Sequence, residues 1–137
     1  MNESFDVQLA DFGFSTFLKG VKGHGKFIGT PGHQPPEQLA GEKFSGRQSD
    51  LFASAVCLFT MVTQQMPFHE AAADDDYYKL IIDDNQNKYW SIFDPANQLS
   101  DDLKDLLINM LQEDPSSRLT PEEIFAHPWV NGPVPTE

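Results

Sequence analysis

The sequence predicts a mainly α-helical domain that carries one short β-strand at its N-terminus. From residue 49 onward, apolar residues recur at helical spacing in several segments, whereas an alternating strand pattern is confined to the first ten residues. The chain has 137 residues, of which 39% are apolar and 11 are Phe, so that it can bury a sizeable core. This length fits one small domain or a piece of a larger one.

A strand and a long loop are the first predicted elements. Phe5, Val7 and Leu9 alternate with polar residues, which predicts a short strand. Residues 14–37 contain five glycines and three prolines and show no period, so we interpret them as a loop. Loops of this length inside compact domains are usually functional or disordered.

The predicted central helix covers residues 49–63. Its apolar run is nearly continuous, which indicates a buried helix, and either Ser49 or Asp50 can cap its start. A short helix is expected over about 75–83, because three aspartates precede it and negative charge favours a helix N-terminus.

Two further helices are predicted between residues 100 and 130. After Ser100, one apolar stripe recurs at i, i+3, i+4, i+7 and i+8, and Pro115 ends the pattern. Thr120 and Glu123 then form the pattern of a capping box with a proline between them, and Pro128 ends this last helix. Residues 131–137 are expected to be a frayed tail.

Charge and composition exclude several classes of function. The formal charge of −12 would repel nucleic acid and anionic membranes, so neither is expected as a partner. Cys57 is the only cysteine and has apolar neighbours, which predicts a buried thiol in a reducing compartment. No signal peptide opens the chain, and no apolar run reaches the roughly 20 residues that span a bilayer. We therefore expect a soluble, cytoplasmic protein.

Several short motifs follow one another in a specific order. Asp11-Phe12-Gly13 comes after the strand, Pro35-Pro36-Glu37 closes the loop, and Asp50 opens the central helix. Arg118 follows Asp114-Pro115, and His127-Pro128-Trp129-Val130 closes the last helix. This order resembles the C-terminal lobe of Ser/Thr protein kinases, and its closing stretch looks most like the calmodulin-dependent kinase group.

The resemblance implies a mainly α, incomplete kinase-like helical lobe over residues 1–130 with a remnant of a strand or hairpin at its N-terminus. Within it, residues 11–37 would be the activation segment, 49–63 the central helix and 100–130 the C-terminal helices, followed by a tail at 131–137.

Roles for the motif residues follow from the same resemblance. Asp11 would bind the Mg²⁺ of Mg-ATP, because this hard cation prefers carboxylate oxygen and bridges the nucleotide phosphates. Phe12 would pack beneath the helical lobe, and Gly13 would give the backbone freedom to turn. Thr30 would help to orient the catalytic loop, within a segment, 29–37, that receives the protein substrate.

Other motif residues are implied to be structural. Glu37 and Arg118 resemble a buried ion pair that ties the end of the loop to the lobe, since an Arg fork matches a carboxylate. Asp50 resembles an aspartate that accepts hydrogen bonds from the backbone of the catalytic loop. The chain departs from the family pattern at Gly32-His33, where relatives carry an acidic and an aromatic residue.

The loop also predicts how activity is regulated. Lys26 occupies the place where many members of the family receive an activating phosphate, and no Ser, Thr or Tyr occurs from residue 17 to residue 29. We therefore expect that phosphorylation in this stretch is not needed for activity.

Several parts of a complete kinase are not among the 137 residues. These are the glycine-rich loop, the Lys–Glu pair and the catalytic loop His-Arg-Asp-x-x-x-x-Asn. We expect a chain truncated just before Asp11, which is inactive alone and exposes apolar surface that associates or aggregates. The complete parent would use ATP, Mg²⁺ and a protein substrate. The alternative is a non-catalytic, pseudokinase-like interaction protein that binds a partner kinase or a kinase substrate.

Overall fold

The computed structural model describes residues 6–15, 22–23 and 29–134, and this part of the chain is mainly helical, as predicted. Two short strands, β1 and β2, pair in antiparallel fashion with Lys22 opposite Ser45. The helices and strands are β1 (Lys22–Gly23), α1 (Pro36–Leu39), β2 (Phe44–Ser45), α2 (Gly46–Thr63), α3 (Tyr78–Ile82), α4 (Gln86–Phe93), α5 (Asp101–Met110) and α6 (Pro121–Ala126). Two 3₁₀ helices lie at Pro31–His33 and Pro115–Ser117.

The strand predicted at the N-terminus is wrong for the residues that the structure describes. Residues 6–10 have no regular structure, and Val7 and Leu9 are 89% and 87% exposed. An alternating pattern becomes a strand only when a neighbour satisfies its backbone groups, and no described segment pairs with this one. Phe5, residues 16–21 and 24–28 with Lys26, and residues 135–137 of the predicted tail lie outside the described residues.

The central helix begins at Gly46, three residues before the predicted start, so Ser49 and Asp50 lie inside it rather than at its cap. It buries one stripe, at i, i+3, i+4 and i+7, formed by Phe52, Ala55, Val56 and Phe59. Met61 is 65% exposed, and Cys57 is also exposed. The predictions of a helix buried nearly all round and of a buried thiol are therefore wrong.

Helix α4 was not predicted, and it supplies much of the aromatic core. Phe59 of α2 packs against Tyr89, Trp90 and Phe93, with ring centroids 6.1, 5.9 and 5.2 Å away. These three aromatics recur at i, i+1 and i+4, which is a helical signal in the sequence, although a short one. Helix α5 packs against α2 and completes the core with Leu103, Leu106, Leu107 and Met110.

The caps of the two C-terminal helices are confirmed. The Ser100 hydroxyl accepts a hydrogen bond from the N–H of Leu103 at 3.2 Å, at the start of α5. At the start of α6, Thr120 Oγ1 accepts from the N–H of Glu123 at 3.2 Å, and Glu123 Oε2 accepts from the N–H of Thr120 at 2.8 Å. This reciprocal pair is a complete capping box. Within the described ranges, no helix combines the length and apolar character needed to cross a membrane.

Asp75 organises the start of α3 and the turn that precedes it. Its Oδ2 accepts hydrogen bonds from the N–H groups of His69 and Glu70, and its Oδ1 accepts from those of Tyr77 and Tyr78, at 2.9 to 3.1 Å. Burial opposes the charge, but the four N–H donors outweigh it, so the pKa of Asp75 lies below its ordinary value.

A buried phenol joins α3 to the end of α5. The hydroxyl of Tyr78 donates to the carbonyl of Leu111 at 2.9 Å, and the side chain of Tyr78 is fully buried. Burial raises the pKa of Tyr78 above its ordinary value, so this hydroxyl stays a donor at physiological pH.

We predict that Asp75→Asn destabilises the protein at neutral pH by about 1–2 kcal/mol, because an amide cannot accept the same four hydrogen bonds. The lowered pKa of Asp75 means that the carboxylate stabilises the fold above its unfolded pKa, near 3.9, and loses this effect as the pH falls through the folded value. In urea unfolding, the difference in the free energy of unfolding between the native chain and Asp75→Asn should therefore narrow below about pH 4. The exposed Asp83→Asn is the control, and a gap that is constant with pH would contradict the prediction.

We predict that Tyr78→Phe lowers the free energy of unfolding by about 1–2 kcal/mol, because the buried carbonyl of Leu111 loses its donor. Tyr77→Phe removes a hydroxyl from the neighbouring, half-buried ring and should change stability by less than about 0.5 kcal/mol. Equal effects in urea unfolding of the two variants would show that the Tyr78 hydrogen bond contributes nothing specific.

Candidate functional site

Asp11, Phe12 and Gly13 form an exposed turn. Asp11 has a φ of 64°, in the left-handed region that Asp tolerates better than most residues. The N–H and hydroxyl of Ser15 both donate to the carbonyl of Phe12, at 3.0 and 2.7 Å, and close the turn. The Asp11 side chain is exposed, so its carboxylate is accessible to a cation.

The expectation that Phe12 packs beneath the helices is wrong for this structure, because its ring is 67% exposed. Phe14, two residues later, is 77% exposed. With Val7 and Leu9, these rings make the described N-terminal segment strongly apolar and uncovered. Such uncovered apolar side chains indicate a surface that another element or molecule would cover.

Two glycines shape the segment from residue 29 to residue 37. Gly29 has a φ of 109°, which L side chains rarely adopt. A Cβ on Gly32 would lie 3.0 Å from the Met66 methyl carbon and 3.2 Å from the carbonyl oxygen of His69. A side chain at this position would therefore force the Met66 methyl group and the carbonyl of His69 to shift.

Thr30 lies between these glycines, at the start of the first 3₁₀ helix. Its side chain is exposed, and its carbonyl accepts a hydrogen bond from the N–H of His33 at 2.9 Å. His33 is half-buried, and its Nδ1 has no hydrogen-bond partner in the described part of the chain. None of the described contacts joins Thr30 to Asp11.

The structure brings Glu37 and Arg118 together as a bidentate ion pair. Arg118 Nη1 donates to Glu37 Oε1 at 2.8 Å, and Nη2 donates to Oε2 at 2.7 Å. The side chain of Glu37 is only 5% exposed, and that of Arg118 only 1%. A fork of two parallel N–H···O bonds fixes orientation as well as distance, so α1 is held firmly on the helical core.

Three partners of Arg118 were not foreseen from the sequence. Its Nε donates to the carbonyl of Gln112 at 2.7 Å, its Nη2 to that of Glu113 at 3.2 Å, and its guanidinium lies 5.0 Å from the ring centre of Phe52. The carbonyls sit in the turn after α5, so the sequence offers no side-chain signal for them. The buried charge thus makes four hydrogen bonds, which offset the cost of removing it from water.

Asp50 and Asp11 are the two remaining predicted site residues, and neither is among the contacts of Arg118 described above. Asp50 lies exposed in the N-terminal part of α2. Among the described residues, no cluster of three or more His, Cys, Asp or Glu side chains could hold a metal ion. Asp11 therefore offers a hard oxygen ligand, but a single one.

A model of the protein kinase domain family matches residues 1–130, and the chain belongs to this family. It is similar to a probable serine/threonine-protein kinase MARK-B of Dictyostelium discoideum (32% identity over 96% of this chain and 18% of the relative). It is also similar to a human SNF-related serine/threonine-protein kinase (34% identity, 95% and 16%) and to serine/threonine-protein kinase ATG1 of Sclerotinia sclerotiorum (35% identity, 94% and 13%). The chain thus spans less than one fifth of the length of these relatives.

We predict that Arg118→Met destabilises the protein by about 3–5 kcal/mol, because the carboxylate of Glu37 is left buried without its partner. Lys79→Met breaks the exposed ion pair with Asp76 and should leave stability nearly unchanged, because solvent screens exposed pairs. Urea unfolding measures both variants.

The double variant Glu37→Met/Arg118→Met, compared with both single variants, separates the energy of the ion pair from the packing contribution of each side chain. If the ion pair couples the two side chains, the double variant is less destabilised than the sum of the single variants. Strict additivity would contradict the coupling.

Proposed function

We propose that the chain is the C-terminal helical lobe of a Ser/Thr protein kinase domain of the calmodulin-dependent-kinase-like group. The parent protein would transfer the γ-phosphate of ATP to Ser and Thr hydroxyls of proteins. The observation that carries this proposal is the Glu37–Arg118 pair, which anchors the end of segment 11–37 to the helical core in a chain of this family. The similar proteins named above are Ser/Thr kinases, which supports the same substrate class.

Asp11 is proposed to hold Mg²⁺ of Mg-ATP in the complete domain. The chemistry that Mg²⁺ would supply there is neutralisation of the negative charge on the nucleotide phosphates. The exposed carboxylate fits a hard cation, and the turn closed by Ser15 presents it to solvent. As Asp11 is a single ligand, the other oxygen ligands must come from the nucleotide, from water or from groups outside the described residues.

The segment 29–37 is proposed to receive the protein substrate. Phosphoryl transfer depends mainly on positioning, so the surface that holds the acceptor hydroxyl must be rigid. Gly32 packs closely against Met66 and the His69 carbonyl, and Glu37 is fixed by Arg118. Two residues before the first of these anchors, the exposed Thr30 is proposed to orient the catalytic loop.

A non-catalytic interaction protein is the second candidate. It is favoured by the apolar, uncovered side chains of Val7, Leu9, Phe12 and Phe14, which fit a contact with another protein. The 137 residues contain neither a glycine-rich loop nor a His-Arg-Asp catalytic loop, so we expect the isolated polypeptide to have no phosphotransfer activity.

The native protein distinguishes the two candidates. An antibody against residues 100–130 would recover it from the source cells, and its size and its transfer of labelled phosphate from ATP to a protein substrate would be measured. A product of about 30 kDa or more with activity supports the kinase. An inactive product of 15.4 kDa alone supports the interaction protein.

We predict that Asp11→Ala lowers the phosphotransfer activity of the native protein by about two to three orders of magnitude, as expected for loss of an electrostatic contact to the transferred group. Asp74→Ala removes another exposed carboxylate, outside segment 11–37, and should retain activity. Full activity of Asp11→Ala would refute the proposed role.

We predict that Ser15→Ala/Thr16→Ala retains activity within about twofold, because Lys26 stands where many members of the family receive an activating phosphate. The N–H of residue 15 still donates to the carbonyl of Phe12 in this variant, so the turn that presents Asp11 stays closed. Phosphatase treatment of the native protein should likewise leave its activity unchanged. A requirement for phosphate at Ser15, Thr16 or Thr30 would contradict this prediction.

A further inference from the structure

Met66 places a thioether against segment 29–37. A Cβ built on Gly32 would lie only 3.0 Å from the methyl carbon of Met66, so this methyl group packs directly on the buried backbone of Gly32. The hydroxyl of Thr60, near the end of α2, lies beside the same side chain, with its Oγ1 3.5 Å from the Met66 sulfur. One flexible side chain therefore connects α2 to the segment.

Met66 is also open to solvent. Its residue is 39% exposed, so a small oxidant can reach the side chain, whereas Met110 is 6% exposed and lies in the core. Met61 is more exposed, at 65%, but none of its atoms lies within 4 Å of the Cβ position of Gly32. Of the three methionines in the described part of the chain, Met66 alone combines exposure with a contact to Gly32.

A thioether that solvent can reach is a substrate for oxidation by peroxides. Hydrogen peroxide transfers one oxygen atom to the sulfur of Met66, so that the O–O bond breaks and an S–O bond forms. The sulfur loses two electrons, and the remaining oxygen leaves as water with both protons of the peroxide. The resulting sulfoxide carries a polar oxygen at an atom that was only a weak hydrogen-bond acceptor before.

The sulfoxide oxygen does not fit against the backbone that the Met66 methyl group now covers. The carbonyl oxygen of His69, which lies 3.2 Å from the Cβ position of Gly32, is itself an acceptor and repels a second one. The hydroxyl of Thr60 now donates to the carbonyl of Val56 at 2.8 Å and is the donor nearest to the sulfur. The oxidised side chain therefore turns towards Thr60 and water, which withdraws its methyl group from Gly32.

We propose that Met66 is a site of reversible oxidation that determines how firmly segment 29–37 is held. The thioether packs on Gly32 and holds the segment, whereas the sulfoxide releases it. The ion pair of Glu37 with Arg118 is untouched, so the segment loosens around Gly32 and stays anchored at its other end. An effect on substrate binding rests on the proposed function of this segment, but the loosening itself does not.

The test uses the full 137-residue chain with Cys57→Ser, because the exposed thiol of Cys57 would also react with peroxide. In this background, Met61→Leu keeps the thioether of Met66, and Met66→Leu keeps that of Met61 as the matched control. Leucine nearly conserves the volume of methionine, so both variants are expected to fold. Mass spectrometry of peptides from each oxidised chain identifies the sulfur that has gained oxygen.

Hydrogen exchange measures how firmly the segment is held. The N–H of His33 donates to the carbonyl of Thr30 at 2.9 Å, so its exchange depends on the local structure around Gly32. After peroxide, this N–H should exchange about tenfold faster in the Met61→Leu chain and at an unchanged rate in the Met66→Leu chain. Methionine sulfoxide reductase with a dithiol should restore the slow exchange.

Three results would overturn the inference: oxidation of Met61 under conditions that leave Met66 intact, unchanged exchange at His33 when Met66 is fully oxidised, or equal responses of the two variants. All three are measured without nucleotide or substrate, so they leave the proposed function untouched. A segment that loosens on oxidation while the KM of the native protein for a protein substrate stays constant would support the inference and contradict the proposed substrate role of segment 29–37.

Discussion

The ion pair between Glu37 and Arg118 is the interaction on which the arrangement of the molecule depends. It joins residues 81 positions apart, and the same guanidinium binds two carbonyls after α5 and lies over Phe52 of α2. One side chain thereby connects α1, α2 and the connection that follows α5. Either charge would be costly to bury alone. The end of segment 29–37 is therefore held where Glu37 can pair with Arg118.

Asp75 supports the same segment through a second set of contacts. The Cβ position of Gly32 lies against the carbonyl of His69, and the N–H of His69 is held by the carboxylate of Asp75. The turn beneath Gly32 is therefore fixed by a side chain that lies outside the segment. Substitutions at Asp75 should disturb the proposed substrate surface as well as the stability of α3, and the two effects share one cause.

Features that depend on a few neighbouring residues could be predicted from the sequence, as the caps at Ser100 and Thr120 demonstrate. Features that depend on residues far apart in the sequence could not be predicted in this way. The alternation around Val7 has no described strand to pair with, and α2 begins directly after β2, whose pairing with β1 lies outside any local signal. The contact of Glu37 with Arg118 was foreseeable only through the family resemblance, since nothing local relates the two residues.

Helix α2 links the segment that Arg118 anchors to the aromatic core that α4 supplies. Phe52 contacts the guanidinium of Arg118, and Phe59, seven residues or about two turns later on the same face, stacks on Trp90 of α4. Because one buried stripe of one helix carries both rings, a core substitution at either ring is expected to disturb the anchor of segment 29–37 together with the packing of α4.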